Sequence, residues 1–226
     1  MEIDSEVIIG VYSIDSSKFL STIKENINNK ICYIPELVLI PHEVITVIDY
    51  INYIIRYLNI ELKNREKKLS SSFKIIGFDA TYINRNIKTL SSSELKLIQI
   101  ISFLLSNKEI IILEEPFRNF DLSNEKRLKK IMDKMTENYK KTVIIVSKDT
   151  NILYKYTKRM LFIKSNGTGT LENTKDMFEK IEFLEKNNIP IPEIVSFIAR
   201  AKRDKKVKID YHIDIRDLIK DIYKHV

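Results

Sequence analysis

Hydrophobic residues in this chain follow two patterns: short continuous runs, and longer stretches in which they recur every three or four positions. The short runs are rich in β-branched residues and comprise Val7–Tyr12, Ile31–Ile34, Ile110–Leu113, Val143–Val146 and Met160–Ile163. Continuous apolar runs of this length are typical of strands covered on both faces, as in parallel sheets. The pattern therefore predicts an α/β fold with a mostly parallel core sheet.

Between these strands, apolar residues recur every three or four positions, which is the pattern of helices. The two longest helical blocks cover roughly residues 43–66 and 93–106. Loops are predicted at Ser70–Ser72 and Ile87–Thr89, where small and polar residues interrupt the pattern. Together these features predict a helical subdomain over about residues 40–108.

The C-terminal part of the chain has a separate helical pattern. It is interrupted at Pro190 and Pro192, and each proline disfavours a helical conformation in the residue before it. We therefore expect a core domain over 1–170 and a small helical appendage over 171–226.

Composition narrows the functional classes. A chain of 226 residues with 44% hydrophobic content can bury a sizeable core. It shows no secretory signal at its start and no apolar stretch long enough to cross a bilayer. A single cysteine excludes an intramolecular disulfide, and three scattered histidines give no zinc-ligand spacing. The lone cysteine fits a reducing cytosol, so we expect a cytoplasmic protein. Acidic residues alternate with the basic residues that give the net charge of +7, so we expect no nucleic-acid partner.

Candidate chemistry is concentrated in three segments. The first is Leu90–Glu94, in which Ser91 and Glu94 have the spacing of a capping box at a helix start. The second is the strand Ile110–Leu113, which leads directly into Glu114 and Glu115, and the third is Phe120–Asp121. A buried strand of a parallel sheet places the residues that follow it at the carboxyl edge, where ligands bind in open α/β folds.

These three segments, in this order and spacing, resemble the signature motif, the Walker B strand and the D-loop of ATP-binding-cassette (ABC) proteins. Residues 33–36 resemble the Q-loop, and residues 144–149 resemble the segment that carries the switch histidine. Residues 77–85, together with Ile189–Pro192, are similar to the ATPase components of energy-coupling-factor (ECF) transporters. The resemblance implies an ABC-type nucleotide-binding domain with a C-terminal appendage of the dimerisation type.

The resemblance also assigns roles to individual residues. It implies that Glu114 holds Mg²⁺ through water, that Glu115 polarises the attacking water, and that Lys148 stands in place of the switch histidine. Contacts with ATP are implied for Ser17, Lys18, Glu36, Ser91, Ser92, Ser93 and Asp121. The serines of the signature segment would meet a nucleotide bound to the opposite subunit, where a helix start attracts an anion.

The phosphate-binding loop departs from the family pattern G-x-x-x-x-G-K-[ST]. Of its defining residues only Lys18 remains, because Tyr12 and Ser17 replace the two glycines and Phe19 cannot ligate a metal. Glycines are also usual at Ser92 and Ser93. The chain's own nucleotide site is therefore expected to be degenerate.

From these features we expect a degenerate ATP-binding subunit of an ABC/ECF-type importer at the inner face of the cell membrane. It would pair with an intact ATPase subunit and an integral membrane component, share ATP and Mg²⁺ with that partner, and couple ATP to transport of a vitamin or metal ion. One alternative is a nonenzymatic scaffold with the same fold. A nucleic-acid-associated ATPase is a further alternative, but the short stretch from Lys18 to Leu90 leaves no room for a long coiled coil.

Overall fold

The computed structural model describes residues 7–13, 30–37, 40–57, 65–104, 108–163, 169–205 and 208–225. The chain forms two compact units, one of Met1–Val7 and Ser17–Ile144, the other of Ile8–Ser16 and Ile145–Val226. The strands are β1 (Ile8–Tyr12), β2 (Ile31–Ile34), β3 (Ile110–Glu114), β4 (Thr142–Ser147), β5 (Arg159–Ile163) and β6 (Gly169–Asn173). The helices are α1 (Val47–Tyr57), α2 (Arg65–Ile76), α3 (Ser92–Leu104), α4 (Leu122–Glu137), α5 (Thr150–Tyr156), α6 (Thr174–Glu179), α7 (Ile181–Lys186), α8 (Glu193–Lys205) and α9 (Ile215–His225).

The first unit contains the strand order β2-β3-β4, and the division between the units falls inside β4, after Ile144. β2 and β3 run parallel, with Ile31 opposite Ile110 and Ile34 opposite Leu113. Side chains of β3 are buried from Ile111 to Leu113, as expected for a strand covered on both faces. The predicted α/β fold with a mostly parallel sheet is confirmed.

Helices α1 to α4 belong to the first unit. Helix α3 is buried at every position from Lys96 to Leu104, so it is a core helix. The loop predicted at Ser70–Ser72 is wrong, because these residues lie inside α2. That helix buries Leu69, Phe73 and Ile76, which fall on one face at helical spacing, and this packing outweighs the low helix propensity of the serines.

The second unit contains the strand order β4-β1-β5-β6. β1 and β5 run parallel, with Ile9 opposite Arg159, whereas β6 runs antiparallel to β5. The sequence pattern did not predict β6, because its residues Gly169–Asn173 have little apolar character.

The helices α6 to α9 also lie in the second unit. The predicted break at Pro190 and Pro192 is confirmed, since α7 ends at Lys186 and α8 begins at Glu193. Helices α8 and α9 pack through a small cluster formed by Ile198, Ile209 and Leu218. The predicted domain boundary near residue 170 stays a prediction. Among the described residues, no helix combines the length and apolar character needed to cross a membrane.

Candidate functional site

The ends of β2 and β3 bring Glu36 and Glu114 together in the first unit. Parallel pairing places the residues after both strands at one edge of the sheet. The Glu114 Oε2 atom accepts a hydrogen bond from the Tyr33 hydroxyl and another, of 3.2 Å, from the Glu36 backbone N–H. Burial and the hydrogen bond to Glu114 raise the pKa of Tyr33, so this hydroxyl remains a donor at neutral pH.

A buried lysine lies beside this acid pair. Lys96 of α3 is 4% exposed, and its Nζ atom donates to the backbone carbonyls of Pro35 and Glu36, the latter at 2.8 Å. Burial lowers the pKa of Lys96 to about 8, against the opposing effect of the nearby Glu114 and Glu36 carboxylates. The ammonium is therefore mostly charged at neutral pH, and it ties the segment after β2 to α3.

Arg118 supplies a second cation on the more exposed side. Its guanidinium forms an ion pair with the Glu36 carboxylate, and its side chain is 60% exposed. Glu115, between Glu114 and the turn that carries Arg118, is partly buried and has a backbone φ of 40°. A non-glycine residue in this left-handed region costs on the order of 1–3 kcal/mol, so the turn holds Glu115 in a strained conformation.

The start of α3 forms a complete capping box. The Ser91 N–H and hydroxyl donate to Glu94 Oε2 at 2.8 and 2.9 Å, and the Glu94 N–H donates to Ser91 Oγ at 3.2 Å. The Tyr82 hydroxyl donates to the other carboxylate oxygen of Glu94. Burial alone would raise the pKa of Glu94, but the hydrogen bonds from Tyr82 and Ser91 together hold it below its ordinary value. Ser92, the first residue of the helix, is exposed.

Ser93 connects the start of α3 to the start of α4. It is 4% exposed, and its Oγ atom accepts a hydrogen bond of 2.9 Å from Asn124 Nδ2. The same amide nitrogen donates at 3.0 Å to Asp121 Oδ2, while Asp121 Oδ1 accepts from the Asn124 N–H and caps α4. Arg127 completes the network by donating to Asn124 Oδ1 at 2.9 Å.

The remaining candidate residues lie elsewhere. Lys148 follows β4 in the second unit and is exposed, next to Asp149, which caps α5. Ser17 and Lys18 lie outside the described residues. Thus, of the proposed site residues, the first unit brings Glu36 together with Glu114, and Ser91 and Ser93 together with Asp121. The roles assigned to all of these residues stay predictions.

The Glu36–Glu114 arrangement fits Mg²⁺ poorly. One oxygen of Glu114 already accepts two hydrogen bonds, and Glu36 is paired with Arg118. A divalent cation at this edge would also meet the positive charge of Lys96. The exposed start of α3, in contrast, suits an anionic phosphate group, because the first N–H groups of a helix lack intrahelical partners.

Sequence reasoning missed the polar partners of both clusters. Lys96 had a visible signal, since it is a lysine within an otherwise apolar helical segment, at a position that the helix buries. Asn124 lies three residues after the helix cap Asp121, where a side chain can reach back to the cap. Tyr33 and Arg118 had no such signal, because their contacts join residues about eighty positions apart.

Comparison with known proteins agrees with this architecture. No protein-family model matches the chain. It is 25% identical over 134 residues to the energy-coupling factor transporter ATP-binding protein EcfA2 of Staphylococcus aureus, a match that covers 59% of this chain and 47% of the relative. It is 21% identical over 168 residues to EcfA3 of Oenococcus oeni, covering 73% of this chain and 57% of that protein. The chain thus spans about half the length of the curated relatives it matches.

Solved structures give the same result for the fold. The structure of cbiO1 from Clostridium perfringens, part of the ABC transporter complex cbiONQ, superposes with a TM-score of 0.64 at 18% identity. The superposition covers 88% of this chain and 90% of the other. The chain therefore has the fold of an ABC nucleotide-binding domain, and its sequence is related to the ATP-binding proteins of ABC transporters, including those of energy-coupling-factor transporters.

Proposed function

We propose that this chain is a degenerate ATP-binding subunit of an ABC/ECF-type importer. It pairs with an intact ATPase subunit, acts with an integral membrane component at the inner face of the cell membrane, and couples ATP binding and hydrolysis to the transport of a vitamin or metal ion. The ATP-binding proteins among its relatives support the ATPase-subunit role. The altered phosphate-loop sequence around Lys18 supports the degenerate status.

The observation that carries this proposal is the network between the starts of α3 and α4. Ser93, Asn124 and Asp121 are joined by hydrogen bonds of 2.8–3.0 Å, and Ser91 closes the capping box beside them. This network fixes the helix start that resembles the signature motif, while the start itself stays exposed at Ser92. The arrangement suits a surface that is presented to a nucleotide on another subunit.

In this mechanism the chain contributes binding and orientation. The nucleotide that is hydrolysed is ATP held by the intact partner, at its terminal phosphoryl group. The first N–H groups of α3 and the positive end of its dipole stabilise negative charge on that phosphoryl group, and the exposed hydroxyl of Ser92 can donate a hydrogen bond to it. Asp121 and Asn124 position the helix start through Ser93.

We expect Glu115 and Lys148 of this chain to contribute less to ATP hydrolysis. The resemblance assigns to Glu115 the role of orienting water. Lys148 can meet an anion only as a point charge, without the donor and acceptor geometry of an imidazole. From its sequence, we expect the altered phosphate loop around Lys18 to hold nucleotide weakly. We therefore assign hydrolysis to the partner's site.

The C-terminal appendage supports pairing. Helix α9 has a stripe of apolar residues of which Leu218 is buried, whereas Ile215, Ile219 and Tyr223 are 64%, 46% and 80% exposed. Exposed apolar side chains at helical spacing suit burial against another protein surface. We propose that this stripe contacts the appendage of the second ATPase subunit.

The first test is calorimetric titration of the purified chain with Mg-ATP. We expect weak binding, with little heat below millimolar ATP, that is the same in Lys18→Ala. Micromolar binding that Lys18→Ala abolishes would show a working phosphate loop and would contradict the degenerate status.

The second test addresses the signature role in the complex with an intact ATPase subunit. Ser92→Arg in this chain should lower ATP hydrolysis by the complex at least about tenfold, because a bulky side chain blocks approach to the α3 start. Lys126→Ala, at an exposed position on α4, is the matched control and should leave hydrolysis unchanged. Equal rates of ATP hydrolysis by the Ser92→Arg and control complexes would contradict the proposed role of the α3 start.

A nonenzymatic scaffold remains a second candidate. The observation that favours it is that groups of the protein itself bind both carboxylates, since Tyr33 donates to Glu114 and Arg118 pairs with Glu36. A scaffold would assemble with the partner, yet neither the Lys18→Ala nor the Ser92→Arg substitution would change nucleotide binding or hydrolysis by the complex.

A further inference from the structure

The acid pair of Glu36 and Glu114 needs positive charge close by. The Glu36 N–H lies 3.2 Å from Glu114 Oε2, so the two glutamates share one small region at the end of β2 and β3. Partly buried carboxylates repel one another and lose hydration, and such groups are stable in ionised form only beside a cation or several donors. In a metal-binding site of this kind a divalent ion would supply that charge.

Here two protein cations lie beside the pair, one exposed and one buried. Arg118 contacts Glu36 from the exposed side. Lys96 approaches from the buried side, donates to the carbonyls of Pro35 and Glu36, and interacts electrostatically with both carboxylates. Because α3 is buried along its length around Lys96, the ammonium cannot swing away to make room for another cation.

We propose that Lys96 is an internal counter-cation that takes the place of a divalent metal ion beside Glu36 and Glu114. The segment after β2 is consequently held against α3 without any metal or nucleotide, and Lys96 excludes metal from this acid pair. This inference deepens the proposed function, since it assigns the loss of metal binding in the chain's own site to a specific charge, but it does not depend on pairing or transport.

The test is a titration of the isolated full-length chain with MnCl₂ alone, followed by electron paramagnetic resonance of the free ion. Wild type should bind Mn²⁺ only weakly, above millimolar concentrations. Lys96→Gln removes the charge and keeps an N–H donor for the carbonyls, so it should bind Mn²⁺ at least about tenfold more tightly. Lys96→Arg keeps the charge and should behave like wild type.

Two further variants locate the effect. Adding Glu114→Gln to Lys96→Gln should abolish the gain in Mn²⁺ binding, because the acid pair is then broken. Lys126→Gln, at an exposed position on α4, removes a charge elsewhere in the same unit and should not change binding. Circular dichroism of each variant verifies that it is folded.

Two results would overturn the inference. One is submillimolar Mn²⁺ binding by wild type that Glu114→Gln abolishes, a result that needs no Lys96 variant to fold. The other is a folded Lys96→Gln chain with wild-type affinity. Since neither nucleotide nor partner is present, either result leaves the proposed pairing with an intact ATPase untouched, and failure of that pairing would not alter the metal titration.

Discussion

Replacing Ser93 by glycine, the residue usual at this position in ABC proteins, should destabilise this chain. Two effects add. A glycine in the first turn of α3 costs about 0.5 kcal/mol relative to serine. In addition, Asn124 Nδ2 loses the acceptor that it now contacts at 2.9 Å, and a buried donor left unpaired costs about 1–3 kcal/mol. The expected loss in free energy of unfolding is therefore about 1.5–3.5 kcal/mol.

Ser92→Gly separates these two effects. Ser92 lies one position earlier in the same helix but is exposed, so the substitution should cost only the propensity difference of about 0.5 kcal/mol. Urea denaturation followed by circular dichroism measures both variants, and Asn124→Ala with Ser93→Gly completes a double-mutant cycle. The coupling should be about 0.5–3 kcal/mol. Equal destabilisation by Ser92→Gly and Ser93→Gly, or a coupling near zero, would refute the network.

Three further predictions concern local structure. Gly10→Ala should lower the free energy of unfolding by about 1–3 kcal/mol, measured by urea denaturation, because the new Cβ would lie 2.6 Å from Met160 Sδ and 2.9 Å from the rigid Thr157 side chain. Asp149→Ala should cost about 1 kcal/mol in the same assay, whereas Asp149→Asn keeps the cap of α5 and should cost much less. Hydrogen bonds lower the pKa of Glu94 despite its burial, so its stabilisation is present above the unfolded pKa and is lost as pH falls through the lower, folded value. Glu94→Gln should therefore flatten the fall in the urea midpoint as pH drops below the unfolded value of 4.5, and an unchanged slope would contradict this.

The sheet was predictable because its strands consist of continuous apolar residues. Ile110–Leu113 and Val143–Val146 have no competing helical period, and both form strands at those positions. β6 was not predictable, since its Gly169–Asn173 segment is mostly polar. It forms a strand through its antiparallel pairing with β5. The serines of α2 led to a wrong loop prediction, because serine has a low helix propensity. Burial of Leu69 and Phe73 stabilises the helix there despite the serines.

The candidate site was predictable in part. Local signals identified the capping box of Ser91 and Glu94 and the two glutamates at the end of β3, because helix caps and strand ends depend on neighbouring residues. The partners Tyr33 and Arg118 act across the fold, and only the pairing of β2 with β3 brings them to Glu114 and Glu36. Sequence spacing alone carries no information about such contacts.

The first unit holds two separate polar clusters, one at the end of β2 and β3 and one at the start of α3. At the end of β2 and β3, Arg118 pairs with the Glu36 carboxylate, and Tyr33 and the Glu36 N–H donate to the Glu114 carboxylate, so groups of the protein itself bind both acids. At the start of α3, Ser91 and Ser93 satisfy the cap and the contact with α4, while Ser92 remains exposed. Because the two clusters use separate hydrogen bonds, substitutions in one should leave the other intact, so under the proposed function the chain's own nucleotide site and its partner-facing surface can be altered independently.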